Sequence, residues 1–267
     1  MNLYPEIYVV TVVYNGEATI ERTINSVISQ SYKNFKFIII EGKSTDDTLK
    51  LISKYRGSID YLISEKDSGI YDAMNKALKM ISNGESYVLF LNSDDYLSEQ
   101  NSLEKIASKL NGYDFIYGRV QLIDLKTNFI SYAGKEESKS TLPLGMIQHQ
   151  ATFTKRNLFT ELGYFDLSFK ISADYDFAVK IFNSSLRIKY VDDVVSVMAL
   201  GGISQKQAFK AISEKKKIIY KYYKGFVRYN AFFRITLLEL PRYTIFLLFN
   251  KFNLLNIWRN LKSIYGN

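Results

Sequence analysis

Residues 87–95 read YVLFLNSDD, an apolar run that ends in an amide, a hydroxyl and two carboxylates. Tyr87 to Leu91 has the length and composition of a buried β-strand. Three earlier apolar runs, Ile7 to Val13, Phe35 to Ile40 and Tyr61 to Ile63, also end in polar, turn-forming residues. This repeated unit, a strand followed by polar residues, decides the fold.

Helical periodicity occupies the intervals between these runs. Apolar residues recur at the spacing of one helix face, with Ile20, Ile24, Val27 and Ile28 in the first interval and Ile70, Met74, Ala77, Leu78 and Ile81 in the third. Strands that alternate with helices predict an α/β fold with a mainly parallel sheet covered on both faces. Ligands of such sheets bind beyond the carboxyl ends of the strands, so the residues there are the site candidates.

The alternation becomes less regular after about residue 115. Strand-like pieces occur at Phe115 to Tyr117, Ala151 to Thr154, Ile188 to Tyr190 and Ser196 to Leu200, with polar loops between them. This pattern predicts a mixed-sheet extension of the same domain. We expect that domain to cover residues 1–204, since no repeat or low-complexity linker interrupts it.

Composition limits the chemistry that this chain can perform. Its 267 residues, 47% hydrophobic and 23% charged, suit one folded domain with an appendage. The absence of Cys and the single His149 exclude thiolate catalysis, cysteine-ligated metals and multi-histidine metal sites. Carboxylates, hydroxyls and a cation bound by oxygen ligands remain as the groups that could perform chemistry.

Four consecutive predicted strands end in polar and acidic segments. These are Tyr14-Asn15-Gly16-Glu17, Glu41-Gly42-Lys43-Ser44-Thr45-Asp46, Glu65-Lys66-Asp67-Ser68-Gly69 and Asn92-Ser93-Asp94-Asp95. Each segment alone is explained as a turn or a helix cap. Together they indicate a site for a hard divalent cation and the phosphates of a substrate. A dinucleotide fold is excluded, because neither Gly-x-Gly-x-x-Gly nor the complete Gly-x-x-x-x-Gly-Lys-Ser/Thr loop is present.

Further motifs accompany these segments in a fixed order. They include Thr11-Val12-Val13-Tyr14-Asn15, the long stretch from Ser64 to Lys76, His149-Gln150, Gly163-Tyr164-Phe165-Asp166, Ala173-Asp174-Tyr175-Asp176 and Gly201-Gly202-Ile203-Ser204. The ordered set resembles the family 2 glycosyltransferases with the GT-A fold, over about residues 5–204. Within that family it most resembles bacterial enzymes that assemble surface polysaccharides such as O-antigen. The resemblance implies a nucleotide-sugar half over about residues 1–98 and an acceptor half over about 99–204.

The resemblance also implies roles for individual residues. It makes Asp95 the metal ligand, with Asp94 at the metal and near the ribose, and Asp174 the catalytic base. The implied donor-binding residues are Thr11, Tyr14, Asn15, Glu17, Glu41 and Asp67, together with Asp94. Glu41 stands where the family usually has Asp to accept the uracil imide N–H. The implied acceptor-binding residues are His149, Gln150 and Asp176.

Structural explanations of the same residues stay open. Tyr14 is alternatively a core tyrosine, Asp67 a helix cap and His149 a buried, hydrogen-bonded histidine. Asp174 and Asp176 alternatively only order the loop before a helix that begins near Phe177.

The reaction implied is an inverting, Mn²⁺- or Mg²⁺-dependent transfer of one sugar. The donor is a nucleotide sugar, expected to be a uridine diphosphate sugar, and the acceptor is a saccharide linked to polyprenyl diphosphate. One carboxylate base on the acceptor side suffices, because no covalent intermediate is needed. Two alternatives are a sugar-1-phosphate nucleotidyltransferase and a non-catalytic, membrane-associated polysaccharide-binding protein.

Residues 205–267 form a basic tail. They hold 13 of the 35 Lys and Arg but 2 of the 27 Asp and Glu, so their net charge is +11 and that of residues 1–204 is −3. Basic and apolar residues together predict amphipathic helices on an anionic membrane surface. A subunit interface is an alternative, and nucleic acid is not the expected partner because aliphatic runs such as Thr244 to Phe249 do not suit a phosphate backbone. No signal peptide or spanning run is evident, so we expect a cytoplasmic protein at the inner face of the cell membrane.

Overall fold

Strands and helices alternate through the first part of the chain. The computed structural model describes residues 4–124, 129–200, 207–239 and 241, which divide into two units, residues 1–202 and 203–267. The first unit begins with β1 (Ile7–Val13), α1 (Ile20–Ile28), β2 (Phe35–Glu41), α2 (Thr48–Ser53), β3 (Tyr61–Ser64), α3 (Ile70–Met80) and β4 (Tyr87–Phe90). It continues with β5 (Tyr96–Leu97), α4 (Ser102–Leu110), β6 (Phe115–Asp124), β7 (Phe129–Ala133), β8 (Thr152–Lys155), α5 (Leu158–Glu161), α6 (Ala173–Phe182) and β9 (Ile188–Ala199). Short 3₁₀ turns lie at Arg56–Ser58, Leu142–Leu144 and His149–Ala151.

The described strands form one nine-stranded sheet. Its order is β3-β2-β1-β4-β8-β6-β9-β5, with β7 paired to β6. The strands β1 to β4 pair in parallel, as do β6 and β9, whereas β8 is antiparallel to both β4 and β6. The α/β fold with a mainly parallel sheet and a mixed extension is therefore confirmed.

Burial explains why the first strands read as continuous apolar runs. Every residue of β1 is buried, and so are the last five residues of β2. The helix face predicted from Ile20, Ile24 and Val27 is fully buried in the core. A sheet covered on both faces leaves the ends of its strands open to ligands, and the four parallel carboxyl ends lie at one edge.

The second half of the sheet differs from the sequence expectation in one respect. The predicted pieces at Ile188 to Tyr190 and Ser196 to Leu200 belong to one long strand, β9, whose register against β6 shifts on either side of Arg119. The polar residues between the pieces are Asp192, which pairs with Arg119, and Asp193, which pairs with Lys109. A Cβ on Gly118 would lie 2.8 Å from the carbonyl oxygen of Asp193, so the irregular pairing needs glycine at this position.

The second unit contains α7 (Ala208–Tyr222), α8 (Gly225–Arg234) and a π-helical turn (Ile235–Glu239). The part of the tail that can be described is therefore helical, as expected. In the regions that the structure describes, no helix has the length and apolar character needed to cross a membrane. The motif Gly201 to Ser204 and the apolar residues from Phe246 onward lie outside the described residues.

Candidate active site

The loops after β1 and β2 are tied to each other by hydrogen bonds between backbone amides and side chains. Asn15 Oδ1 accepts from the Thr45 amide, and Glu17 Oε2 accepts from the Asp47 amide, each at 2.9 Å. In return the Asn15 amide donates to Ser44 Oγ and the Glu17 amide donates to Asp46 Oδ2. The side chains of Asn15 and Glu17, which we predicted at the donor, thus shape the rim of the site. Whether they also contact a donor stays a prediction.

Tyr14 and Asp67 both lie close to Gly42. A Cβ on Gly42 would lie 2.6 Å from Asp67 Oδ2 and 3.5 Å from the Tyr14 Cβ, so a larger residue here would displace the Asp67 carboxylate. Tyr14 is 61% exposed, which leaves its ring available to a ligand and sets aside the core-tyrosine alternative. Asp67 Oδ1 accepts from the Gly69 amide and so also acts as a local cap.

Two other predicted donor residues are buried. Thr11 lies inside β1 and is fully buried, and its hydroxyl has no hydrogen-bond partner among the described residues. Glu41 is fully buried too, with the Ser44 amide on Oε1 and the Ser64 hydroxyl on Oε2, each at 2.5 Å. Burial alone would raise the pKa of Glu41, but the hydrogen bonds from Ser64 and Ser44 lower it below its ordinary value. The Glu41 carboxylate is therefore ionised, and its hydrogen bond from the Ser44 amide stabilises the loop after β2.

The acidic pair after β4 is held from α1. Arg22 donates to the Asp94 carbonyl oxygen at 2.8 Å, and the Thr23 hydroxyl donates to the carbonyl oxygens of Ser93 and Asp95. The Asp95 side chain is 2% exposed and accepts from Gln150 Nε2 at 2.9 Å. Burial, with the nearby charge of Asp94, raises the pKa of Asp95 to about 7.

Asp94 and Asp95 fit a divalent cation by their chemistry. Two adjacent carboxylates, one of them desolvated, concentrate negative charge that a cation would neutralise, and Mg²⁺ or Mn²⁺ commonly takes one or two carboxylates and completes its shell with water and phosphate oxygens. Among the described residues no cluster of three or more acidic or histidine side chains could hold a metal without such added ligands. Asp95 and Asp94 would thus hold the cation together with a bound diphosphate.

The predicted base lies in a network that joins three elements. Asp174, near the start of α6, accepts from His149 Nδ1 at 2.9 Å through Oδ2 and from the Tyr71 hydroxyl at 2.8 Å through Oδ1. His149 Nε2 lies 3.2 Å from Asn92 Nδ2 at the end of β4. Burial would raise the pKa of Asp174, but the hydrogen bonds and the charge of His149, with Tyr71, lower it. Burial would lower the pKa of His149, yet the bond to Asp174 raises it.

The 3₁₀ turn before β8 connects the two halves of the site. His149 contacts Asp174, and the next residue, Gln150, contacts Asp95. Both ring nitrogens of His149 are therefore engaged within the protein, which matches the hydrogen-bonded histidine that we kept as an alternative. Asp176 is fully buried and pairs with Lys180 at 3.2 Å, one turn further along α6. The proposed contacts of these residues with an acceptor stay predictions.

Four contributors to the site were not assigned roles from the sequence. Asn92 and Tyr71 lie inside the quoted motifs, so their positions were visible but their partners were not. Arg22 and Thr23 lie in the first turn of an ordinary amphipathic helix, where no local pattern distinguishes them. Their role depends on the loop after β4, about 70 residues away in sequence.

Comparisons with known proteins identify relatives of this chain. The sequence model of the family described as Glycosyl transferase family 2 matches residues 8–174. A PGL/p-HBAD biosynthesis glycosyltransferase of Mycobacterium bovis is 32% identical over 198 residues, which are 71% of this chain and 75% of that protein.

Two solved structures show the same fold. S. aureus TarS 1-349 in complex with UDP has a TM-score of 0.64 at 20% identity, covering 86% of this chain and 71% of that one. The mannosyltransferase PcManGT from Pyrobaculum calidifontis, in complex with GDP-Man and Mn²⁺, has a TM-score of 0.64 at 19% identity, covering 82% of this chain and 64% of that one. The expected GT-A fold is thereby confirmed.

Proposed function

The chain belongs to glycosyl transferase family 2 and is a glycosyltransferase, and from this premise we propose which transfer it performs. It moves one sugar, with inversion, from a uridine diphosphate sugar to a saccharide carried on polyprenyl diphosphate, in the assembly of a bacterial surface polysaccharide. The observation that carries the proposal is the His149-Gln150 turn, which contacts the base candidate Asp174 with one residue and the metal candidate Asp95 with the next.

The chemistry assigned to these residues is a single displacement. Asp174 accepts the proton of the acceptor hydroxyl while that oxygen bonds to the anomeric carbon, and the bond from this carbon to the donor diphosphate breaks on the opposite face. The lowered pKa of Asp174 keeps its carboxylate ionised at neutral pH, so it is available to accept this proton. A divalent cation bound at Asp94 and Asp95 would stabilise the charge that develops on the leaving diphosphate.

Several observations support the choice of donor and cofactor. The TarS structures contain UDP and UDP-GlcNAc, and the PcManGT structure contains GDP-Man with Mn²⁺. In the present chain the exposed ring of Tyr14 and the carboxylate of Asp67 adjoin the loop after β2, where a nucleoside would bind in this arrangement. Because the chain belongs to glycosyl transferase family 2, the two alternatives, a sugar-1-phosphate nucleotidyltransferase and a non-catalytic polysaccharide-binding protein, are set aside.

A panel of nucleotide sugars tests donor and metal together. We expect slow hydrolysis of a uridine diphosphate sugar when Mn²⁺ or Mg²⁺ is present, and none when the metal is chelated. Guanosine and thymidine diphosphate sugars serve as matched donors that differ in the base. Turnover confined to a guanosine diphosphate sugar would contradict the uridine assignment, and full turnover in chelator would contradict the metal assignment.

The tail is proposed to attach the enzyme to the inner face of the cell membrane. Phe226, Tyr229 and Phe233 of α8 and Leu237 of the following π-helical turn, here named the α8 stripe, are spaced three or four residues apart and are 82%, 70%, 64% and 53% exposed. Ala231 and Ile235, on the other side of the helix, are buried. A stripe of exposed rings in a segment of net charge +11 suits the interface of an anionic bilayer, where each basic residue near the surface adds about 1 kcal/mol.

Vesicle sedimentation of the full-length chain tests the membrane proposal. We expect binding to vesicles that contain anionic lipid, with a salt-resistant part that the double change Phe226→Ser and Phe233→Ser removes, because salt screens charge but not apolar burial. The matched control changes Phe129 and Ile130 of β7 to Ser, since these are 49% and 51% exposed and lie in the other unit. A full-length chain that ignored anionic vesicles and sedimented as an oligomer would make the stripe a subunit interface.

A further inference from the structure

We propose that His149 is the positioning residue of the base Asp174: its ring holds one carboxylate oxygen, and Asn92 holds the ring from the other side. The proposal rests on the proposed function only in taking Asp174 as the base. It gives His149 a role in proton transfer in place of the acceptor contact that the family resemblance implied.

The hydrogen-bond geometry determines which ring nitrogen carries the proton. Asn92 Nδ2 lies 3.2 Å from His149 Nε2 and donates to it, so the ring proton is on Nδ1, where it points to Asp174 Oδ2 at 2.9 Å. Asn92 Oδ1 is buried and has no partner in the regions described.

The partners of Asp174 leave one lone pair for the reaction. Oδ1 accepts from the Tyr175 amide at 2.9 Å and from the Tyr71 hydroxyl, which also lies 2.7 Å from the Ile171 carbonyl oxygen. Oδ2 accepts only from His149 among the hydrogen bonds described. A carboxylate oxygen has two lone pairs, so Oδ2 is the atom that takes the acceptor proton, and His149 sets its orientation.

The surroundings of this pair strengthen the interaction. The side chains of His149 and Asp174 are 19% and 10% exposed. A cavity of about 20 Å³ adjoins both side chains, and its wall includes the rings of Phe90, Phe115, Phe159, Phe165 and Phe177. Few polar groups in such a wall compete with the hydrogen bond, so the His149–Asp174 contact is stronger than the same contact in water.

The charged groups around the pair act on the pKa of the ring. Burial lowers the pKa of His149, and the hydrogen bond and charge of Asp174 on α6 raise it, followed by the smaller effects of Asp95 and Asp94, whose charges a bound cation would neutralise. Tyr71 of α3 is the other titratable group that contacts Asp174. A cationic or hydrogen-bonding ring lowers the pKa of Asp174 and keeps the base ionised. Removal of His149 should therefore raise the pKa of Asp174, so that Asp174 becomes protonated, and inactive as a base, at a higher pH than in the wild type.

Kinetics of three variants test this role. In His149→Leu we expect kcat to fall on the order of 100-fold, the acidic limb of the pH profile of kcat to move to higher pH, and the acceptor KM to change little. His149→Gln, which keeps a donor without the charge, should fall between the wild type and Leu. Thr152→Val is the matched control, because the Thr152 hydroxyl bonds the His149 carbonyl oxygen and faces the same cavity but not Asp174. A raised acceptor KM with an unmoved limb would overturn the proposal in favour of acceptor binding.

A second measurement does not depend on turnover. His149 is the one histidine of the chain, so the ¹⁵N spectrum of histidine-labelled protein reports this ring alone. We expect the neutral ring to carry its proton on Nδ1, and its pKa to fall in Asp174→Asn, in which the carboxylate charge is removed. An Nε2–H tautomer, or a pKa indifferent to Asp174→Asn, would overturn the positioning role even in a chain that hydrolyses its donor. A chain that shows the expected spectrum but turns over no nucleotide sugar would refute the proposed function alone.

Discussion

Asp174→Asn is expected to reduce sugar transfer by roughly 10²–10⁴-fold while donor binding stays near its wild-type strength. The amide keeps the shape of the carboxylate and can still accept from Tyr71 and the Tyr175 amide through one oxygen. It cannot take the acceptor proton, because an amide is not a base near neutral pH. Transfer rates with a soluble lipid-linked acceptor analogue and calorimetric titration of the donor measure the two effects separately.

The control for this variant is Asp192→Asn. Asp192 also carries one negative charge in the same unit, but its side chain is 76% exposed and pairs only with Arg119 and Tyr190 among the contacts described. We expect it to transfer at the wild-type rate. Loss of donor binding in Asp174→Asn would place Asp174 in the nucleotide site and reject it as the base.

Asp95→Asn is expected to abolish metal-dependent transfer and, at the same time, to stabilise the fold at alkaline pH. Activity is lost because the amide is a weaker ligand that lacks the charge for the cation. Stability rises because a side chain that is 2% exposed no longer has to be ionised inside the protein. Transfer assays with Mn²⁺ or Mg²⁺ and thermal melts of the metal-free protein at two pH values measure these effects.

The pH dependence of the stabilisation by Asp95→Asn follows from the raised pKa of Asp95. The folded protein holds the Asp95 proton up to about pH 7, whereas the unfolded chain releases it near the ordinary aspartate pKa of 3.8. The wild type therefore loses stability through this group as pH rises from about 4 to about 7, and the loss is constant above that range. A shift of this size corresponds to a few kcal/mol at most, so the gain in melting temperature of Asp95→Asn should be small at pH 4.5 and several degrees at pH 8.

Asp192→Asn again provides the comparison, since it should melt like the wild type at both pH values. Normal metal-dependent turnover in Asp95→Asn would refute the metal assignment. An equal change in melting temperature at pH 4.5 and pH 8 would show that Asp95 does not titrate in this window.

The outline of the fold could be predicted from the sequence because its signals are local. Continuous apolar runs such as Ile7 to Val13 reflect strands that are buried on both faces, and the spacing of Ile20, Ile24 and Val27 reflects a helix packed on them. The long strand β9 was predicted as two pieces because Asp192 and Asp193 interrupt its apolar pattern. Their ion pairs with Arg119 and Lys109 involve residues more than 70 positions away, which no local pattern reveals.

The positions of the polar residues at the strand ends could be predicted from the sequence, but their hydrogen-bond partners could not. The acidic segments after β1 to β4 were expected to face one ligand. Asn15 and Glu17 also tie two loops together, and Glu41 stabilises the second of these loops, while their contacts with a donor stay predictions. A motif shows where a polar residue lies along a strand, but its hydrogen-bond partner depends on how two loops about 30 residues apart in sequence approach each other.

The sequence by itself determined the alternation of strands and helices, the edge of the sheet where polar residues collect, the absence of thiolate and multi-histidine chemistry and the family to which the chain belongs. Only the tertiary structure decided that Asp95 is buried and that His149 contacts Asp174. Both depend on β8 lying between β4 and β6, which carries the His149-Gln150 turn to Asn92 and Asp95 from more than 50 residues away. Strand order is set by packing over the whole sheet, and burial and pKa follow from that packing, so neither is encoded in any short stretch of the chain.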